Sequence, residues 1–237
     1  LPKDVQRAYG SDSYQKKINV RGYKPNTSVP IGQLNKALDI LNHAEKPVFL
    51  IGGGVHIAHA NKEMEQLAEI TGVPVITTIM GKGAIPTANH LYVGNTGIHG
   101  SYAANLAVSH CDVLFAIGTR FSDRITGKID EFAADAKIIH IDIDAASISR
   151  NITVDVPIAA DAKEAICALL EKAETLHISE WTDEISRWKM QHPINMGKIG
   201  LTPQMVIQSF NELFENAVIA TDVGQNQLWT RQFLELD

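Results

Sequence analysis

Cysteine occurs only twice in the 237 residues, aromatic residues make up 6%, and the 21 Lys plus Arg are outnumbered by 27 Asp plus Glu. Each scarcity excludes something. Cys111 and Cys167 form no CxxC pair and lie in apolar contexts, so two buried thiols in a reducing compartment are expected rather than a disulfide. The net charge of −6, with no Lys/Arg run, lacks the electrostatic footprint of a protein that binds nucleic acid or an anionic membrane surface. No apolar stretch reaches the ~18 residues of a membrane span, and nothing resembles a signal peptide. A cytoplasmic protein whose partners are small molecules or other proteins is therefore expected. The nine histidines fall into no HExxH motif and no compact triad, so no metal site is expected, and all but His99 read as core or solvated residues.

What is present is an alternation of helix and strand. "IGQLNKALDILNHA" carries Ile31, Leu34, Leu38 and Leu41 at the spacing of one helical face, and "PVFLIGGG" follows as a short apolar strand running into glycines. "HANKEMEQLAEITG" reads as a helix capped by Gly72, "VPVITTIMG" as a β-branched strand, "SYAANLAVSHC" as helix, and "DVLFAIGT" and "AKIIHIDID" as strands. "DAKEAICALLEKAE" closes the set as a helix with Asp161 at its N-cap. Continuous apolar strands separated by helices imply an α/β fold, a doubly wound parallel sheet covered on both faces. Residues 1–175 are read as that domain, with 1–30 a lead-in linker. Residues 176–200, with two tryptophans, a possible short helix "SEWTDEISRWKMQ" and a mostly polar context, are read as a connecting arm. From 201 to 237 the helix "LTPQMVIQSFNELF", with Thr202 or Leu201 near its N-cap, and the strand "AVIATDVG" read as the truncated start of a second domain. The chain opens on "LPKDVQ" and stops at "QFLELD", a few residues into a βα unit, and a piece of a longer polypeptide is expected.

Four strand ends carry the residues that a ligand would need. "GGG" at Gly52–Gly54 is either a plain tight turn or the approach of a phosphate to a helix start; the full GxGxxG is absent, because His56 and Ile57 follow. "TTIMGKG", "GNTGIHGSY" and "GTRFSDRITG" put small residues, hydroxyls, a histidine and two arginines at further strand ends. Ligands of open α/β sheets collect outside the carboxyl ends of strands, so these ends together describe a site for an extended dinucleotide. Arg120 and Arg124 could pair its phosphates bidentately, or could simply pair with Asp123, Asp130 and Glu131, which at a surface is worth about 0–1 kcal/mol. "HIDID" could supply a carboxylate to a ribose or adenine. Lys82 in "GKGAIP" belongs to no phosphate loop, since GxxxxGK[ST] is missing.

"PVFLIGGGV", "GVPVITTIMGKGAIP", "GNTGIHGSYAANLAV", "DVLFAIGTRFSDRITG", "IIHIDIDAASISRN" and "TDVGQNQLW" occur in an order and spacing that resembles the large, catalytic subunit of acetolactate synthase, also called acetohydroxyacid synthase. The resemblance covers essentially the whole chain. It implies a six-stranded parallel sheet of the DHS-like nucleotide-binding fold, with FAD along it, in the middle of three domains. It further implies that Arg120 and Arg124 contact FAD. Gly118, Thr119, Ser122 and Ile125 would complete that loop, and Gly52, Gly53 and Gly54 would lie beneath the cofactor. Thr78 and Ile79 would lie beside it, Gly97, Ile98 and His99 along it, Asp142 and Ile143 at the adenosine end, with Asp161 and Ala162 closing it. Ser122 stands where relatives commonly carry an acid.

The same resemblance implies thiamine diphosphate and Mg2+ in the full-length enzyme, with Val223, Gly224, Gln225 and Asn226 facing the diphosphate, although Asn226 replaces the usual histidine. In such enzymes pyruvate loses carbon dioxide and its remaining two-carbon unit joins a second 2-ketoacid, in branched-chain amino-acid biosynthesis, while FAD takes no net redox part. No catalytic residue is expected within this chain, and the fragment alone is expected to be inactive. A homodimer or higher oligomer and a small regulatory subunit are implied for the whole enzyme. A different thiamine-dependent enzyme, such as pyruvate oxidase or glyoxylate carboligase, and a stand-alone nucleotide-binding module are the other readings.

Overall fold

The computed structural model describes residues 2–10, 28–194, 200–214 and 217–236. Most of the lead-in segment, residues 11–27, lies outside the described residues. In chain order the elements are α1 (Lys3–Arg7), α2 (Ile31–Asn42), β1 (Pro47–Ile51), α3 (Gly54–Ile57), α4 (Asn61–Thr71), β2 (Val75–Thr77), β3 (Tyr92–Asn95), α5 (Tyr102–His110) and β4 (Val113–Ile117). They continue as α6 (Asp123–Thr126), β5 (Lys137–Asp142), β6 (Val156–Ala159), α7 (Ala162–Leu170), α8 (Ser179–Gln191), α9 (Pro203–Leu213) and α10 (Gln225–Phe233).

The six strands form one sheet in the order β3-β2-β1-β4-β5-β6, every pairing parallel. A parallel sheet buries both faces, which is why β1 and β4 read as unbroken apolar runs and are buried at all five positions each. Phe49 and Phe115 are register partners on these two strands and meet edge to face, their ring centroids 5.6 Å apart. Helices cover both faces, α4 packing beside α7 and α5 beside α8. The caps follow sequence chemistry. Gly72 ends α4 in the left-handed region at φ 73°, the Ser101 hydroxyl accepts from the Ala104 N–H, and the Asp161 carboxylate accepts from the Lys163 and Glu164 N–H groups.

Several readings need correcting. Cys111 is buried, its Sγ donating to the Val108 carbonyl at 3.2 Å, but Cys167 is exposed. The buried stripe of α7 is Ala162, Ala165, Ile166 and Leu169, and position 167 falls outside it. The polar-looking segment after 175 is not wholly an arm, because α8 docks against the core. Ile178, Trp181 and Ile185 are buried, and the Trp181 Nε1 donates to the Pro47 carbonyl at 3.0 Å. Thr202 caps α9 as read, accepting from the Met205 N–H. The expected strand at 217–224 does not form: among the described residues nothing pairs with it, and Val218 is 100% exposed. A strand exists by its neighbours' hydrogen bonds, and here it has none.

The turns that follow β1 and β4 meet at main-chain distance. A Cβ added at Gly52 would lie 2.1 Å from the Gly118 carbonyl oxygen, and one at Gly118, where φ is 61°, would lie 2.6 Å from the Gly54 Cα. Gly72 has a similar φ of 73° but nothing within 4 Å of its missing Cβ. Gly72→Ala should therefore cost only the left-handed penalty, about 1–2 kcal/mol, whereas Gly118→Ala should add a backbone collision and cost clearly more. Urea unfolding of both variants checks this, and equal losses would show that the turns can separate without cost.

Candidate functional site

The strand order places a topological switch point between β1 and β4, where the chain changes its direction of travel across the sheet. The residues predicted for the dinucleotide are all at the carboxyl ends of strands, and they follow the sheet from edge to edge. Gly97–His99 follow β3, Thr78 and Ile79 follow β2, and Gly52–Gly54 follow β1. Gly118–Ile125 follow β4, Asp142 ends β5 with Ile143 beyond it, and Asp161 and Ala162 follow β6. Backbone hydrogen bonds tie neighbouring ends together: Gly52 N–H to Ile117 O at 2.9 Å, Gly54 N–H to Gly118 O at 3.1 Å, Thr78 N–H to Ile51 O at 2.9 Å, and Ala160 N–H to Asp142 O at 3.1 Å.

The glycines prove to serve this meshing. Gly52 and Gly54 face Gly118 rather than open space, and α3, which they lead into, is a single turn of four residues. The GGG turn is accounted for as a tight βα turn. Gly97 is a second such junction. At φ 108° its missing Cβ would lie 2.4 Å from the Arg124 carbonyl oxygen, to which the Ile98 N–H donates at 3.1 Å. The Asn105 side chain closes the same turn, accepting from the Gly97 N–H at 2.9 Å and donating to the Gly97 carbonyl at 3.1 Å.

On this fixed backbone stand the side chains that could meet a ligand. Arg120 and Arg124 are exposed, and among the described residues neither guanidinium makes an ion pair or a hydrogen bond. The pairing with Asp123, Asp130 and Glu131 is not formed; Glu131 is instead taken by Lys128. Ser122 stands at the N-cap of α6 without a side-chain capping bond, so its hydroxyl is uncommitted. At the ends of the other strands, Met80 after β2, Ile98 after β3 and Ile143 after β5 expose 67%, 62% and 42% of their surface. Exposed apolar side chains and free guanidinium groups along one rim are the chemistry that a flat, negatively charged dinucleotide would need, apolar surface for its rings and guanidinium groups for its phosphates. Thr78 is buried and its hydroxyl accepts from the Gly81 N–H at 3.2 Å. Asp142 accepts from the Asp144 N–H at 2.9 Å, and Asp161 has one carboxylate oxygen committed to capping α7.

Val223–Asn226 are exposed around the start of α10, where Gly224 has φ 148°; among the described residues their hydrogen bonds stay within that turn and helix. The far end of α10 does reach the sheet: Arg231 Nη2 donates to Thr96 O at 2.6 Å and Gln232 Nε2 to His99 O at 3.1 Å. Lys82 donates to the Arg231 carbonyl at 2.6 Å, and burial pulls its pKa down to about 8. That settles the lysine of "GKGAIP" as a cap on α10.

Sequence reasoning missed three residues. Met80 hides in a 3-10 turn, Ile79–Gly81, that the sequence pattern suggests is strand. His140 is fully buried in β5, its Nε2 donating to the Thr119 carbonyl at 2.8 Å; the polar break in "IIHIDID" was its only signal. Asn151 donates to the Arg120 and Phe121 carbonyls, each at 3.0 Å, from a loop that no pattern singles out.

Comparison with known proteins agrees over the same span. Residues 34–169 match the family described as thiamine pyrophosphate enzyme, central domain. The acetolactate synthase large subunit of Corynebacterium glutamicum is 42% identical over 246 residues, covering 100% of this chain and 39% of that protein. A probable acetolactate synthase large subunit of Methanocaldococcus jannaschii is 42% identical over 252 residues, covering 99% and 42%. The acetolactate synthase of Mycobacterium bovis is 38% identical over 247 residues, covering 100% and 40%. The chain thus spans about two fifths of the length of these relatives.

Burial lowers the pKa of His140 below its ordinary 6.5, a shift the nearby Asp142 carboxylate and the Thr119 carbonyl oppose without reversing. The unfolded chain therefore binds this proton at a higher pH than the folded one. Stability is full above about pH 6.5 and falls as the pH drops from there towards the lowered value, with a slope of up to about 1.4 kcal/mol per pH unit from this group. Urea midpoints measured from pH 7.5 to 5 should show the fall, and His140→Gln should flatten it; an unchanged slope in that variant would exclude His140 as its source.

Proposed function

The chain belongs to the thiamine pyrophosphate enzyme family through its central domain, and from that premise we propose that it is the middle of an acetolactate synthase large subunit. The intact enzyme would condense pyruvate with pyruvate or 2-ketobutyrate, with loss of carbon dioxide, in branched-chain amino-acid biosynthesis. What carries the reading is that the similarity to acetolactate synthase large subunits runs the length of the chain. Residues 1–175 are assigned to the central domain, 176–200 to a linker onto which α8 adds a docked face, and 201–237 to the start of the thiamine-binding domain. Thiamine diphosphate with Mg2+ supplies the condensation chemistry when bound.

This chain's own residues bind and orient. Arg120 and Arg124 hold the diphosphate of FAD as charge-assisted, bidentate donors, and Ser122 adds a hydroxyl. The meshed turns at Gly52–Gly54, Gly118 and Thr119 give a floor with no side chain rising from it. Met80, Ile98 and Ile143 offer apolar contact to the rings, Thr78, Ile79, Gly97, His99 and Ile125 flank them, and Asp142, Asp161 and Ala162 stand towards the adenosine end. Val223, Gly224, Gln225 and Asn226 meet the thiamine diphosphate. The intact enzyme is assigned a homodimeric or higher assembly, a small regulatory subunit and a cytoplasmic location; among the described residues no helix is long and apolar enough to cross a membrane.

In the intact polypeptide, supplied with pyruvate, thiamine diphosphate, Mg2+ and FAD, acetolactate should form, and this chain alone should form none. With inorganic phosphate and O2 also supplied, acetyl phosphate, carbon dioxide and hydrogen peroxide in place of acetolactate would make the intact protein a pyruvate oxidase instead. Arg120→Ala and Arg124→Ala should each weaken FAD binding roughly tenfold to a hundredfold, from charge-assisted hydrogen bonds of about 1.5–3 kcal/mol. Lysine should rescue only part of the loss, because a point charge does not reproduce the guanidinium fork. Flavin fluorescence titration reads this directly, and equal affinities in wild type and both alanine variants would sink the clamp.

A further inference from the structure

Arg120 has an exposed guanidinium with no partner among the described residues, so nothing on the side chain itself decides where it points. Its direction is inherited from the backbone, and that backbone is unfavourable. Gly118 has φ 61° and Phe121 has φ 49°, which puts a left-handed residue on either side of the Thr119–Arg120 pair. For Gly the conformation is free. For an aromatic residue it costs about 1–2 kcal/mol and persists only where the surroundings over-determine it.

The surroundings do so from one side. Three consecutive carbonyls, those of Thr119, Arg120 and Phe121, are each held by a side chain from β5 or the loop beyond it. His140 Nε2 donates to Thr119 O at 2.8 Å, and Asn151 Nδ2 donates to Arg120 O and Phe121 O at 3.0 Å each. The Phe121 ring is buried and meets the His140 ring edge to face, centroids 4.9 Å apart, and the Phe132 ring at 6.1 Å. With Nε2 carrying the proton to Thr119, Nδ1 is left buried with no hydrogen-bond partner. An apolar side chain there would avoid that unsatisfied atom, so the histidine is better explained by the bond it makes than by packing.

We propose that His140 is a positioning residue for the cofactor clamp: with Asn151 it fixes the strained turn that presents Arg120, without touching the cofactor. The proposal rests on the reading that Arg120 holds FAD. It adds to that reading a determinant lying one strand away, on β5.

The test uses the intact enzyme and flavin fluorescence titration with FAD. His140→Leu should weaken FAD binding about tenfold, and His140→Gln, which keeps an N–H donor, should stay within about threefold of wild type. A double-mutant cycle separates positioning from plain destabilisation. If His140 acts through Arg120, His140→Leu in an Arg120→Ala background should cost little further affinity; a merely structural effect would be undiminished there and would overturn the proposal. Asn151→Ala, at an exposed position, gives the same comparison should His140→Leu not fold, with a loss of about threefold to tenfold expected and additivity with Arg120→Ala again overturning it. Normal FAD affinity in His140→Leu and Asn151→Ala beside a weakened Arg120→Ala defeats the positioning role alone. Normal affinity in Arg120→Ala defeats the clamp and the positioning role together.

Discussion

Contact between peptide backbones at the switch point governs the rest of the architecture. Where the turns after β1 and β4 cross, the atoms of Gly118 occupy the volume that a side chain on Gly52 or Gly54 would need, and on the other side the carbonyl of Ile51 occupies that of Gly81. Three neighbouring turns are thereby locked at main-chain distance. This is closer than any side-chain packing allows, and it leaves the edge of the sheet smooth. The groups able to recognise a ligand must then come from residues farther along each loop, which is where Met80, Ile98, Arg120, Arg124 and Ile143 are found.

That division explains how much could be read from the sequence. Central strands declare themselves, because β1 and β4 are buried on both faces and have no polar position to spare. The outer strands do not. In β3 Gly94 and Asn95 interrupt the apolar run, and in β6 Pro157 lacks a ladder donor, which an edge strand tolerates. The glycines were legible as places of close approach, but not what approached them. A turn's demand for Gly is the same whether a carbonyl or a phosphate fills the space. The arginines were legible as a cluster, yet only three dimensions show that the neighbouring acids leave them unpaired. Residues acting from a distant part of the chain, such as Asn151, carry no local pattern at all.

The electrostatics sharpen the point. A chain with a net charge of −6 has two exposed guanidinium groups after β4 that are free among the described residues, while Lys46, Lys128, Lys137 and Lys163 each have a carboxylate partner. Surface pairs of that kind contribute little, so their absence at Arg120 and Arg124 costs the fold little. It preserves full charge for an incoming anion.

The docking of α8 carries the packed core beyond the last βα unit. Ile178, Trp181 and Ile185 are 6%, 2% and 3% exposed, and the indole of Trp181 bonds to the first residue of β1. At roughly 1.5–3 kcal/mol for each large apolar side chain buried, the three together rival the whole net stability of a small domain, about 5–15 kcal/mol. A polypeptide ending at residue 175 would present an uncovered apolar trough along α5 and the start of β1, and would be prone to self-association. The packed unit therefore extends into α8, which begins nine residues beyond Leu170, where the βα alternation stops.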